Sequence, residues 1–162
     1  MNRLSKALKL GTAISMLYAA PAFADVIIYN PGADNQNVPT YTNNADVDAI
    51  FVDGNHTTLI NNGTINDGSP STAPLSDVVY IDDNVTLGGL ENNGTISNED
   101  GGSNPLGISG TAGVLTLLDN NGVIRSVIDN VAGIEVAGQL SELQNEGGII
   151  ESQASSRAFW LD

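Results

Sequence analysis

A seven-residue pattern, L-x-N-x-G-x-I, occurs four times in this chain and constrains its fold more than any other feature. It reads Leu59, Asn61, Gly63, Ile65; then Leu90, Asn92, Gly94, Ile96; then Leu118, Asn120, Gly122, Ile124; and last Leu143, Asn145, Gly147, Ile149. Successive copies are 31, 28 and 25 residues apart. Self-similarity at such a period marks a stacked repeat, in which no unit can bury its apolar face alone. A further apolar residue precedes each repeat leucine by three positions, as Leu87, Leu115 and Leu140; the first copy has His56 there. Upstream, short runs alternate: Ile50/Val52, Val79/Ile81, Ile108/Gly110 and Ile134/Val136, with Phe159/Leu161 opening another. Period-two alternation in short runs indicates strands, not helices.

The expected fold is therefore all-β: a parallel β-helix, or β-solenoid, of about four to five coils. Alternate side chains of each strand point inward, and stacked coils roughly 4.8 Å apart share a core of Leu, Ile and Val. The Asn-x-Gly corner has two expected causes. Glycine accepts positive φ at a sharp turn, and the repeat asparagines can stack, each amide bonding to the next. Residues 66–77 and 97–105, rich in Pro, Gly, Ser and Asp, read as outer loops. Residues 25–47 read as an N-terminal cap over an open sheet edge, and 48–162 as the repeats.

Residues 1–24 read as a cleavable signal peptide. Arg3, Lys6 and Lys9 form a positive start, Leu10 to Ala20 a short apolar stretch, and Ala22-Phe23-Ala24 a small-x-small cleavage site. The apolar stretch is too short to cross a bilayer core of about 30 Å. Cleavage leaves Arg125 and Arg157 against nineteen acids, a net charge of −17. Such a surface repels phosphate, which argues against nucleic acid as a partner. The chain has no cysteine, which excludes disulfides and thiolate metal sites.

With a signal peptide and four L-x-N-x-G-x-I units, the chain resembles the passenger repeats of bacterial autotransporters over residues 48–162. The resemblance implies a right-handed parallel β-helix, exported through the inner membrane and displayed on the cell surface or secreted. It implies adhesin-like binding or display, with a host-cell, matrix or glycan ligand, rather than catalysis. It also implies a C-terminal outer-membrane β-barrel in the full-length protein. No barrel follows here: the sequence stops at Phe159-Trp160-Leu161-Asp162, within a coil's first strand. The expectation is thus an N-terminal part of a longer protein; without a barrel, the location would be periplasmic.

Candidate chemistry is sparse. His56 is the sole histidine and lies near Asp53; as a general base it would need a nucleophile and an orienting partner. Its alignment with Leu87, Leu115 and Leu140 points to the core boundary instead. Asp53 and Asp82 each follow the last apolar residue of a strand, and Asp83 adjoins Asp82. Stacked acids of this kind could serve glycoside hydrolysis, which needs two carboxyl groups. That makes a β-helical polysaccharide hydrolase or lyase the alternative to a binding protein, and a structural stalk the third reading. Asp46/Asp48 and Glu99/Asp100 lack the spacing of a calcium loop, so no metal or cofactor is expected. Asn55, Asn62, Asn84 and Asn93 each begin an N-x-T triplet; turn chemistry accounts for those at 62 and 93.

Overall fold

A computed structural model describes residues 26–29, 40–52, 54–67, 77–98, 104–109, 112–128, 131–153 and 158–161. The expected signal peptide, residues 25 and 30–39 of the expected cap, Asp53 and the centres of both outer loops lie outside these residues. Among the described residues all regular structure is β.

The strands recur in threes. The first three are β1 (Val26–Tyr29), β2 (Thr40–Asn43) and β3 (Asp46–Val47). They are followed by β4 (Ala49–Val52), β5 (His56–Asn61) and β6 (Thr64–Asp67), then β7 (Asp77–Ile81), β8 (Thr86–Asn92) and β9 (Thr95–Asn98). Next come β10 (Asn104–Ile108), β11 (Val114–Asn120) and β12 (Val123–Ser126), then β13 (Ile134–Val136), β14 (Gln139–Gln144) and β15 (Ile149–Ser152), and last β16 (Phe159–Leu161). Every third strand joins the same sheet, in the orders β1-β4-β7-β10-β13-β16, β2-β5-β8-β11-β14 and β3-β6-β9-β12-β15. Neighbours pair parallel throughout. Each pass of the chain thus lays one strand on each of three sheets, which is the winding of a β-solenoid.

The repeat residues fall in register. Leu59, Leu90 and Leu118 are paired neighbours and fully buried, as are Ile65, Ile96 and Ile124. The third sheet adds Ile50, Val79, Leu106 and Ile134 to the same core. Burying each such side chain contributes about 1.5–3 kcal/mol, and only stacking makes that burial available. The three-residue step from His56 to Leu59, or Leu87 to Leu90, departs from strict alternation. Both ends point inward, so the two residues between, Thr57–Thr58 or Gly88–Gly89, face outward together as in a β-bulge.

Three expectations change, and one further copy of the repeat emerges. The glycine corner does not use positive φ; among the described non-glycine residues only Asn84 does, at 62°. Glycine is required because successive corners touch: a Cβ on Gly94 would lie 2.0 Å from the Gly63 carbonyl oxygen, and one on Gly122 as close to that of Gly94. In the fourth copy Ile149 pairs with Val123 and is 46% exposed, while Ile150 pairs with Ile124 and faces the core. One extra residue at Gly147-Gly148 causes the shift, and nothing lies within 4 Å of a Cβ on Gly147. The strand that pairs with Val79/Ile81 offers Leu106/Ile108, two residues before the expected Ile108/Gly110, because Asn104 anchors its start on Asp77. Finally, residues 40–47 carry a degenerate copy of the repeat, Tyr41-x-Asn43-x-Ala45-x-Val47, paired with Leu59, Asn61 and Ile65. They extend the same sheets.

Candidate functional site

Of the candidate catalytic residues, His56, Asp82 and Asp83 are described, and each takes a structural place. Asp53 lies outside the described residues. His56 is buried, 8% exposed, and pairs with Leu87, so it occupies the leucine column of the core. Asp82 and Asp83 sit in the turn after β7. Asp82 accepts a hydrogen bond from the Asp83 amide at 2.8 Å, and its own carbonyl accepts from the Val85 amide at 3.3 Å. Short acids commonly stabilise turns in this way. No group of three or more His, Asp or Glu that could hold a metal gathers among the described residues. No helix there is long and apolar enough to cross a membrane.

The polar chemistry of the stack lies in two asparagine ladders. In the inner one Asn43 Nδ2 donates to Asn61 Oδ1 at 2.9 Å, Asn61 to Asn92 at 2.8 Å, Asn92 to Asn120 at 2.7 Å, and Asn120 to Asn145 at 2.7 Å. Asn61, Asn92 and Asn120 are fully buried. The second amide proton of each meets a backbone carbonyl of the next corner, on Thr95, Val123 or Ile149. That contact fixes the amide orientation, since a carbonyl can only accept.

The outer ladder follows one residue later. Asn121 donates to Asn93 at 3.4 Å, Asn93 to Asn62 at 3.0 Å and Asn62 to Asn44 at 2.9 Å, all exposed. Its donors point the opposite way along the stack, so the amide dipoles of the two ladders oppose each other. Glu91 and Asp119, paired neighbours on the outer face, accept the remaining protons of Asn93 and Asn121. Like charges directly opposite each other are destabilising, and these amide donors offset part of that cost. The sequence reading attributed the asparagines at 62 and 93 to turn chemistry and missed this second column. The recurring Asn-Asn-Gly of the first two copies and of residues 120–122 is the signal that could have revealed it.

A notch opens where the outer columns lose their side chains. Gly88 and Gly89 form its floor; Thr57, Thr58, Leu117, Glu91 and Asp119 line a cavity of about 330 Å³. The two glycines differ in kind. A Cβ on Gly88 would lie 2.6 Å from the Thr57 carbonyl oxygen, so packing demands glycine there. A Cβ on Gly89 would meet only the Thr58 side chain and the Thr57 carbonyl oxygen, at 3.8 Å or more, so packing does not. A glycine inside a strand weakens it and often marks a place where another molecule approaches the backbone.

A smaller recess of about 140 Å³ lies on the sheet that holds β7 and β10, lined by Asp77, Tyr80, Ser109 and Glu135 among others. Gly107 lets the Asp77 carboxylate lie where a side chain would stand. Asn104 Nδ2 donates to Asp77 Oδ1 at 2.8 Å and also to Glu135, while Tyr80 donates to Ser109 Oγ at 2.6 Å. Phe51 stacks on Tyr80 with ring centroids 5.5 Å apart. These bonds join neighbouring passes of the chain, as the ladders do.

No family model, curated protein or solved structure matches the chain.

Proposed function

We propose that the chain is a bacterial surface-displayed or secreted β-helical protein, of the autotransporter passenger type, that binds a ligand without transforming it. In this reading residues 1–24 direct export, and about five coils form a right-handed rod, the hand that parallel crossovers almost always take. The outward faces then meet a host-cell, matrix or glycan ligand. One observation carries the reading. Asp82, one of the acids weighed for a hydrolase, accepts a hydrogen bond within its own turn, whereas Gly89 leaves open a notch that packing does not require.

The test combines location with binding. Protease accessibility on intact cells should show the protein outside the inner membrane. Purified protein should bind cells, matrix proteins or arrayed glycans saturably, and Gly89→Trp, which fills the notch from its open side, should abolish that binding with the fold intact. Equal binding by both proteins would sink the notch as the site. A cytoplasmic location would sink display. Binding by neither protein, with the fold intact, would favour a stalk, and polysaccharide cleavage by the wild type would favour the hydrolase or lyase reading.

A further inference from the structure

The outer ladder consists of a particular chemical unit. Asn62-Gly63, Asn93-Gly94 and Asn121-Gly122 are three Asn-Gly dipeptides stacked one on another. Asn-Gly is the dipeptide most prone to spontaneous deamidation, because glycine puts no side chain in the way of its own amide nitrogen. That nitrogen attacks the asparagine Cγ and loses its proton. The C–N bond to the side-chain amide breaks and ammonia leaves. Water then opens the cyclic imide at either carbonyl, giving an aspartyl or an isoaspartyl linkage. No oxidant or cofactor takes part.

The attacking nitrogens are not held alike. Gly94 N–H donates to the Asn61 carbonyl at 3.0 Å, and Gly122 N–H to the Asn92 carbonyl at 2.8 Å. At the corresponding place below, the Asn43 carbonyl accepts from Asn62 N at 2.8 Å, and Gly63 N–H makes no such bond among the described residues. An amide that is already bonded must open before it reacts, as it must before it exchanges its hydrogen.

We propose that Asn62 is a self-modification site of the folded protein, deamidating through Gly63 ahead of Asn93 and Asn121, and that the product loosens residues 40–47 from the stack. A carboxylate at 62 can still accept from Asn93, but it cannot donate to Asn44 Oδ1, and two oxygens then face each other where a 2.9 Å hydrogen bond was. An isoaspartyl linkage adds a backbone atom at a corner with no room for one: a Cβ on Gly63 would already lie 2.1 Å from the Ala45 carbonyl oxygen.

The full chain is incubated at 37 °C and mildly alkaline pH, with and without denaturant, and peptide mapping by mass spectrometry scores deamidation and isoaspartate at each site. In the folded protein position 62 should react about tenfold faster than 93 or 121, the scale of one backbone hydrogen bond that must open first. In denaturant the three should converge, since each precedes glycine. Equal rates in the folded protein, or an excess at 62 that survives denaturation, would overturn the proposal. Hydrogen exchange of residues 40–47 in the aged protein should rise relative to an aged Asn62→Gln variant. Equal exchange would overturn the loosening.

Discussion

Removing one amide from the middle of the inner ladder tests the logic of the stack directly. Asn92 is fully buried, accepts from Asn61, and donates to Asn120 Oδ1 and to the Val123 carbonyl. Asn92→Ala therefore leaves Asn120 Oδ1 without its donor and one Asn61 amide proton without its acceptor. Each buried group left unpaired costs about 1–3 kcal/mol, so the pair costs about 4 kcal/mol before packing losses. Urea denaturation followed by far-UV circular dichroism reads this out. With a slope of about 2 kcal/mol per molar, the midpoint should fall by about 2 M. Asn145→Ala is the control. Asn145 stands at the exposed end of the ladder, where water replaces the lost partner, and its removal should cost about 1 kcal/mol or less. If the two variants fell by the same amount, burial of the ladder would not be what makes it stabilising, and the reasoning would fail.

Gly94→Ala places a Cβ 2.0 Å from the Gly63 carbonyl oxygen, and Gly147→Ala places one in open space; the first should cost about 3 kcal/mol or more and the second almost nothing, by thermal melts. Gly89→Ala should gain about 0.5 kcal/mol in the same assay, because its Cβ fits and the unfolded chain loses freedom; a clear loss would show that the strand needs glycine there. His56→Leu supplies the residue type of Leu87 and Leu115 in the same column, so stability should change by less than about 1.5 kcal/mol and ligand binding not at all; loss of function without loss of fold would restore a chemical role to His56. Burial pushes the Tyr41 phenol above its ordinary value of 10.0, so its contribution is intact below pH 10 and is withdrawn as pH rises from there through the folded value. Tyr41→Phe should raise the alkaline unfolding midpoint, and an unchanged midpoint would refute this account.

Residues that meet their own kind in the next coil were legible in the sequence. Leu59, Leu90 and Leu118 pair with one another, so the same packing demand recurs at each and leaves the same letter behind. Positions where the demand is met by a different residue were not legible. Tyr41, Ala45 and Val47 fill the leucine, glycine and isoleucine places near the start of the stack, and the pattern disappears although the pairing does not. Ile149 shows the converse: the letters match, but an added glycine rotates Ile150 inward instead. The notch was illegible for a further reason. Gly88-Gly89 becomes a cavity only because Thr57, Thr58 and Leu117 flank it from neighbouring coils, at sequence distances that vary from copy to copy.

On the proposed reading, that contrast says which positions of such a repeat are free to bind. Inward columns are fixed by packing and corner columns by contact between backbones, so neither can change without cost to the fold. The outward columns carry no such demand. One runs Thr58, Gly89, Leu117, Glu142, and another Ile60, Glu91, Asp119, Gln144. Apart from the acids Glu91 and Asp119, which accept from the outer ladder, these residues share no size, charge or polarity. Such variety in so regular a frame means that stacking alone did not choose them, so on the proposed reading these are the positions free to meet a ligand. On the same reasoning Gly89→Ala has two opposing effects. The substitution that improves the strand also begins to fill the notch, so a stability gain accompanied by weaker ligand binding would identify Gly89 as a glycine kept for the ligand at the fold's expense.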